Sequence, residues 1–330
     1  MARVASSDAL RIVQWNVRRC IDPASGRSSS ARVLSCVERL RPSLLSLNEL
    51  DLTKAPTLLD DLSALGYSQQ SFFGHVRDGT YGNALVSTLP LTDAKHTHLD
   101  GGTVVNKPNN EKHRIARGML SASVAVGAGV RARVAVTHLD HMCPVQRRVQ
   151  TAHLLRTLLG GDGSATAMNG GAQAAAGSQA SGGEQPLADD EHLILLGDLN
   201  ALSRADYTPE QWQLHEAHNA AKGWSPPHDD AAADGALGML MAAGFVDCAA
   251  SLSQRRLQTS SRAWAADPWT AHVRVPNGPP YRIDYVWMRT PQPAGERVLV
   301  TRASHVEMEC GAASDHQPLV VDLEAVDQAK

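Results

Sequence analysis

The chain has 330 residues, 43% of them hydrophobic and 20% charged, with 31 Lys and Arg against 34 Asp and Glu for a net charge of −3. That length allows one large domain or two small ones and a core that needs no staples. The charge balance excludes a broadly basic nucleic-acid coat and a polyacidic tail. Aromatic residues at 4% argue against a surface built on stacked aromatic platforms.

In chain order, RIVQWNV at Arg11–Val17 reads as a buried strand that ends in a polar residue. Ala31–Leu40 reads as a helix with Val33, Leu34, Val37 and Leu40 on one face, stopped by Pro42. Leu44–Leu47 is a short strand running into Asn48 and Glu49, and Ala55–Leu65 a second helix closed by Gly66. Strands are expected near Gln69–Phe73, Asn83–Ser87 and Ala94–His98. Ile115–Val126 and Arg131–His138 form a hairpin through Gly127–Gly129, and Val145–Leu159 is a helix. Gly160 to Pro186 is Gly, Ala, Ser and Gln with almost no large apolar side chains. It cannot repay its ordering by burial and is expected to be a disordered low-complexity insert at 160–186. Beyond it come a buried strand at His192–Gly197, helices at Pro209–Ala221 and Gly235–Ala243, and strands at Tyr281–Met288, Val298–Val306 and Gln317–Leu323. Short strands in consecutive hairpins with few helices fit an α/β sandwich of two packed, largely antiparallel or mixed sheets flanked by helices, in a single domain over 1–330.

No stretch reaches the ~18 apolar residues of a membrane helix, and the N-terminus lacks the apolar core of a secretory signal. The five cysteines are widely scattered, with no CxxC pair for structural zinc, and the odd, sparse set suits a reducing compartment. A soluble intracellular protein is expected, cytoplasmic or nuclear.

Apolar strands in this chain repeatedly end in a polar residue. Asn16, Glu49, His138, Asp198 with Asn200, and Asp284 all sit this way, and Asp315-His316 precede Pro318-Leu319-Val320. Gathered at one sheet edge, they would form a cluster of carboxylates, amides and imidazoles. Oxygen-rich ligands suit Mg²⁺, with Mn²⁺ the other candidate, and such an ion polarises a phosphoryl oxygen. An Asp beside His fixes its tautomer and raises its basicity. Singly, each piece has a plainer reading as a turn, cap or structural histidine. Asp284 resists it, because an acid between Ile283 and Tyr285 in an apolar strand is costly unless paired.

WNV at 15–17, LNEL at 47–50, GNALVS at 82–87, THLDH at 137–141, GDLNA at 197–201, RIDYVW at 282–287 and SDHQPL at 314–319 together resemble the endonuclease/exonuclease/phosphatase superfamily, the DNase I-like fold. The resemblance spans nearly the whole chain, from Asn16 to His316. It implies a four-layer α/β sandwich and a divalent-metal phosphoesterase site at one edge. It implies Glu49 as principal metal ligand, with Asn16 beside it and Asp315 as a further metal contact or support. Asp198 resembles the residue that orients or deprotonates the attacking water, and Asn200 the amide that contacts the phosphoryl group. Asp284 and His316 resemble the carboxylate–imidazole dyad, and His138 the second histidine of the THL-bearing branches. Arg147 and Gln150 would support the site from behind. Asn48 stands where Gln commonly precedes the Glu, THLDH disfavours abasic-site cleavage, and SRADYTPEQW at 203–212 matches no characterised branch.

The activity this implies is hydrolysis of a phosphate ester by in-line attack of water, most plausibly by a nuclease or phosphodiesterase. The competing substrates are phospholipid head groups and inositol phosphates, and the competing class is a non-catalytic binding protein on the same fold. Arg18, Arg19, Arg114, Arg117, Arg204 and Lys107 are candidates to meet phosphates, though singly such cations read as solvated. A phosphate-ester substrate, with nucleic acid among the candidates, is the partner the sequence suggests.

Overall fold

Strands that alternate and helices that carry one apolar stripe can all bury their apolar sides if two sheets pack face to face and helices cover both outer faces. This is the arrangement in the computed structural model, which describes residues 9–328 apart from 77, 100–103, 107–110, 114, 128, 161–190, 225, 258–268, 272–278 and 292–295. In chain order the elements are β1 (Ala9–Asn16), α1 (Ser30–Leu40), β2 (Leu44–Asp51), α2 (Leu58–Ala64), β3 (Gln69–Val76), β4 (Tyr81–Ser87), β5 (Thr92–Leu99), β6 (Val104–Asn106), β7 (Glu111–His113), β8 (Arg117–Ala125), β9 (Arg131–His138), α3 (Pro144–Leu159), β10 (His192–Asp198), α4 (Pro209–Lys222), α5 (Ala236–Ala242), β11 (Val246–Asp247), α6 (Cys248–Leu257), β12 (Asp284–Arg289), β13 (Arg297–Val306) and β14 (Leu319–Asp327).

One six-stranded sheet has the order β13-β14-β1-β2-β4-β3 and the other β11-β12-β10-β9-β8-β5. Each is mixed, with one central parallel pair: β1 with β2, and β9 with β10. Alternation divides the apolar residues cleanly. Leu10 and Ile12 of β1 join Leu44, Leu85, Val134, Val136, Ile194, Leu196 and Val286 between the sheets. Val13 and Trp15 point the other way, onto Val33 and Val37 of α1 and Leu58 and Leu62 of α2. On the far side Leu193 and Leu195 meet Leu154 and Leu158 of α3 and Leu237 and Leu240 of α5. A fourth, smaller cluster of Leu202, Tyr207, Ala271 and Ile283 lies beside them.

Several expected boundaries move for local reasons. The second helix starts at Leu58, not Ala55, because Pro56 disfavours a helical Ala55 and residues 51–55 close a turn, with Lys54 and Ala55 N–H donating to Asp51 O at 3.0 and 2.9 Å. The strand expected at Tyr281 begins at Asp284, and Tyr281 instead makes an isolated bridge to Ala271. Leu319–Asp327 starts later and runs further than Gln317–Leu323. The strands β6, β7 and β11 and the helix α6 were not expected. Cys36 of α1 and Cys310 form a disulfide with a Cα–Cα separation of 5.6 Å, a pairing that scattered spacing did not suggest. Of the insert expected at 160–186, residues 161–186 lie outside the described residues, as do Lys107 and Arg114. Among the described residues no helix is long and apolar enough to cross a membrane.

Candidate active site

The stripe of side chains between the sheets changes character at one end. On β1 the inward sequence Leu10, Ile12 continues as Gln14 and Asn16; on β2 Leu44 continues as Ser46 and Asn48. Going the same way, Leu85 gives way to Asn83, Val136 to His138, Leu196 to Asp198 and Val286 to Asp284. Six strands thus deliver polar side chains to one edge of the sandwich, because alternation carries the same face into the polar residues.

These residues satisfy one another. Ser46 Oγ donates to Gln14 Oε1 at 2.5 Å, and Gln14 Nε2 donates to Asn48 Oδ1 at 2.7 Å and to Asp284 Oδ1 at 3.3 Å. Asn48 Nδ2 donates to Asn83 Oδ1 at 2.9 Å and across to Thr137 O at 3.0 Å, while Asn48 Oδ1 accepts the Asp198 N–H at 2.9 Å. Asn83 Nδ2 donates to Gly118 O at 3.0 Å. The two sheets are therefore bolted together at this end by a buried amide network, where an unpaired amide would cost ~1–3 kcal/mol. Gln14, Ser46 and Asn83 had no role in the sequence reading; the signal was the polar ending of each alternating stripe. Gly197 permits the close approach of β10 to β9, since a Cβ there would lie 2.1 Å from Thr137 O.

Glu49 should follow Leu45 and Leu47 to the outer face. Instead Leu47 pairs with Ala84 and Leu50 with Gly82, so β2 carries one extra residue, and Glu49 occupies it with φ of 56°. The bulge turns its carboxylate back to the site, a strained backbone re-aiming one side chain. Asn16 Nδ2 donates both to Glu49 Oε1 at 3.0 Å and to Asp198 Oδ2 at 2.9 Å, bridging the carboxylates of opposite sheets. Asn200, at φ of 49°, donates its N–H to Asp198 Oδ1 at 3.0 Å and its Nδ2 to Leu139 O at 3.1 Å.

His316 Nδ1 lies 2.8 Å from Asp284 Oδ2, and its Nε2 faces Asp198 Oδ2 at 3.8 Å. Asp284 is fully buried, and Thr270 Oγ1 accepts both its N–H and that of Ile283 at 3.1 Å. Trp15 Nε1 donates to His316 O at 3.0 Å. Burial disfavours the imidazolium of His316, but the charge and hydrogen bond of Asp284, followed by Asp198, override it and hold the ring protonated. Burial and the Asp284 charge push Asp198 above the usual carboxylate range.

His138 Nε2 is 3.5 Å from Asp198 Oδ2, and its Nδ1 lies 3.3 Å from Arg117 Nη1. A guanidinium has only donors, so Nδ1 accepts and the ring proton sits on Nε2, facing Asp198. Burial and then Arg117 hold His138 neutral, well below the ordinary histidine pKa. Arg117 Nη2 lies 3.4 Å from His141 Nδ1, and the guanidinium is buried with no carboxylate in ion-pair reach among the described residues. Arg117 was one of six cations named as candidates to meet phosphates, with a solvated face as the plainer reading; its burial beside the site could be seen only in the fold.

Asp315, beside His316, is held by its neighbours. Its Oδ2 pairs with Arg18 Nε at 3.2 Å and its Oδ1 accepts from Ser314 Oγ at 3.3 Å. Arg147 donates to both oxygens of Asp230 and to Asp140 O, and Gln150 Oε1 accepts the Asp140 N–H at 2.8 Å, so both brace the loop after His138. Carboxylate oxygens and ring nitrogens of Glu49, His138 and Asp198 lie within 4.8 Å of one another, as do those of Asp198, Asp284 and His316; with both imidazoles facing the site through N–H, the carboxylate oxygens are the ligand atoms left. Among the described residues no Lys or Arg pairs with Glu49 or Asp198. Glu49, Asp198 and Asp284 set three carboxylates around the one imidazolium of His316, an excess of negative charge that fits a hard divalent cation with oxygen ligands.

A family model described as the Endonuclease/Exonuclease/phosphatase family matches residues 13–316. Among solved structures, an endonuclease/exonuclease/phosphatase from Beutenbergia cavernae aligns with TM-score 0.59 at 19% identity, over 96% of this chain and 72% of that one. The human Nocturnin catalytic domain with bound sulfate aligns with TM-score 0.57 at 18% identity, over 96% and 95%. D. rerio TDP2 in complex with a single-strand DNA product aligns with TM-score 0.55 at 17% identity, over 96% and 99%. These likenesses show the fold. No curated protein sequence matches the chain at a significant level.

Proposed function

The chain belongs to the endonuclease/exonuclease/phosphatase family, whose members are phosphoesterases, and from that membership we propose that it is a divalent-metal-dependent phosphodiesterase acting by in-line attack of water on phosphorus. The observation that carries the reading is the convergence of Glu49, Asp198 and His138 within 4.8 Å, with the Asp284–His316 dyad facing the same Asp198 oxygen. Glu49, with Asn16 and Asp198 around it, would hold Mg²⁺ or Mn²⁺, and that ion would polarise a phosphoryl oxygen and offset charge on the leaving group. Asp198 orients the attacking water and accepts its proton at Oδ2. His316, anchored through Nδ1 on Asp284, presents a charged Nε2–H to the phosphoryl oxygens as negative charge grows on them.

His138 takes a narrower role than general acid. With its proton fixed on Nε2 by Arg117, it donates a neutral hydrogen bond to a phosphoryl oxygen. Arg117 adds a buried cation behind that contact, near Asp140, Glu49 and Asp198 but in ion-pair contact with no carboxylate among the described residues, and suited to a phosphate. Asn200 has a second amide hydrogen for the same group. Asp315, engaged with Arg18, positions the loop that carries His316.

The test is hydrolysis across one panel of single- and double-stranded DNA, RNA, a phosphotyrosyl-DNA end, sphingomyelin and inositol polyphosphates. Wild type is compared with Asp198→Asn and His316→Ala, with Mg²⁺ and with chelator. Metal-dependent cleavage of a diester that falls at least ~10²-fold in both variants is the expected result. No cleavage anywhere, or variants equal to wild type, would defeat the reading and favour a binding protein on this fold.

A further inference from the structure

The few aromatic side chains are not evenly spread. His141, which lies 3.4 Å from Arg117, packs edge-on against Trp224 with ring centroids 5.9 Å apart. Trp224 meets His218 of α4 at 6.2 Å, and His218 meets Tyr281 at 6.3 Å. Tyr281 is bridged by its backbone to Ala271, and Ala271 to His316. The rings thus form an arc from the strand end bearing His138 to the loop bearing His316. Trp224, His218 and Tyr281 are half-buried and His141 is exposed, so each keeps surface towards solvent. Tyr281 is held from behind by His215, at 4.5 Å, which in turn packs at 4.6 Å on Tyr207 of the segment after Asn200. The Tyr281 end of the arc therefore rests on a packed base.

We propose that Trp224, His218 and Tyr281 form a subsite for a nucleobase attached to the phosphate that is cleaved. Resting on the phosphodiesterase reading above, this narrows its substrate class to nucleotides. Planar rings beside a phosphate-binding cation suit a substrate whose charged group is joined to a flat one. His218 within the arc adds ring nitrogens that can hydrogen-bond the polar edge of a base. A lipid chain or an inositol ring offers no flat face to this arc.

Calorimetric titration with adenosine 5′-monophosphate, phenyl phosphate and ribose 5-phosphate, in chelator, reads the subsite without any turnover. The adenosine compound should bind at least tenfold more tightly than either of the others. That margin should disappear in Trp224→Leu and Tyr281→Leu and return in Trp224→Phe, with circular dichroism confirming that each variant is folded. Equal affinities for all three, phenyl phosphate matching the nucleotide, or a margin that survives both leucine variants would overturn the proposal. A failure of the hydrolysis panel would instead defeat the phosphodiesterase reading while this binding margin persisted, so the two can fail separately.

Discussion

The strands β9 and β10 carry a buried carboxylate at each end, and the two ends treat it in opposite ways. At the start of β10, Glu191 is 4% exposed and accepts from Ser123 Oγ at 3.0 and 3.1 Å, Arg131 Nε at 3.1 Å and Arg133 Nε at 3.4 Å. At the other end Asp198, 2% exposed, faces Asp284 and Glu49 across two imidazoles and one amide, with no guanidinium or ammonium paired to it among the described residues. The first carboxylate is compensated and holds the fold together. The second is left short of positive charge, and under the proposed function that deficit is what a divalent cation would meet.

Removing each charge should separate these roles. Asp198→Asn should lower turnover by about 10³-fold while leaving the thermal midpoint in chelator at or above that of wild type, because it relieves repulsion with Asp284. A midpoint that falls by many degrees would mean Asp198 serves the fold as Glu191 does. Glu191→Ala should do the reverse, costing about 3 kcal/mol in urea unfolding with kcat kept below the new midpoint. The low end of the buried-pair range applies because Arg133 retains Asp93 at 2.7 Å. Asn48→Ala should cost ~1–3 kcal/mol for each group it strands, Asn83 Oδ1 and the Asp198 N–H, while Gln14 Nε2 keeps Asp284 Oδ1, and it should reduce activity as well. An effect on stability alone would show that the amide network does not position Asp198.

The smallest effect is a pH dependence at the structural end. His192 adjoins Glu191, and burial pulls its pKa down to about 4; Leu299 N–H donates to its Nε2 at 3.3 Å, which needs the neutral ring. The unfolded chain binds this proton near pH 6.5, so the stabilisation is complete above that value and is lost as pH falls towards 4. Thermal midpoints measured from pH 7 to 4 should fall more steeply for wild type than for His192→Phe. Parallel curves would show that His192 is not the group responsible.

Much of the site was legible in the sequence because chemistry and alternation coincide there. Asn16, His138 and Asp198 are each the last inward position of an apolar strand. Asp284 betrayed itself as an acid where an apolar residue would pack. Glu49 was read from motif resemblance, but alternation alone would have pointed it outward, and only the bulge opposite Ala84 and Gly82 explains its turn. Asp315 matched a motif as a further metal contact or a support for the site, and the motif gave no sign of the ion pair it makes with Arg18.

The amino-acid sequence by itself determined the layer architecture, the polar strand ends and the type of chemistry they can do, since hydrophobic period and residue type are local properties. It could not determine which amides bridge the sheets, that Arg117 is buried against two histidines, that Cys36 meets Cys310, or that scarce aromatic rings gather beside the polar edge. Composition argued against a surface of stacked aromatic platforms, and the rings of Trp224, His218 and Tyr281 meet edge-on rather than stacked. A percentage averages over the whole chain, whereas contacts between residues 141, 224 and 281 exist only once the strands and loops that carry them have been packed together.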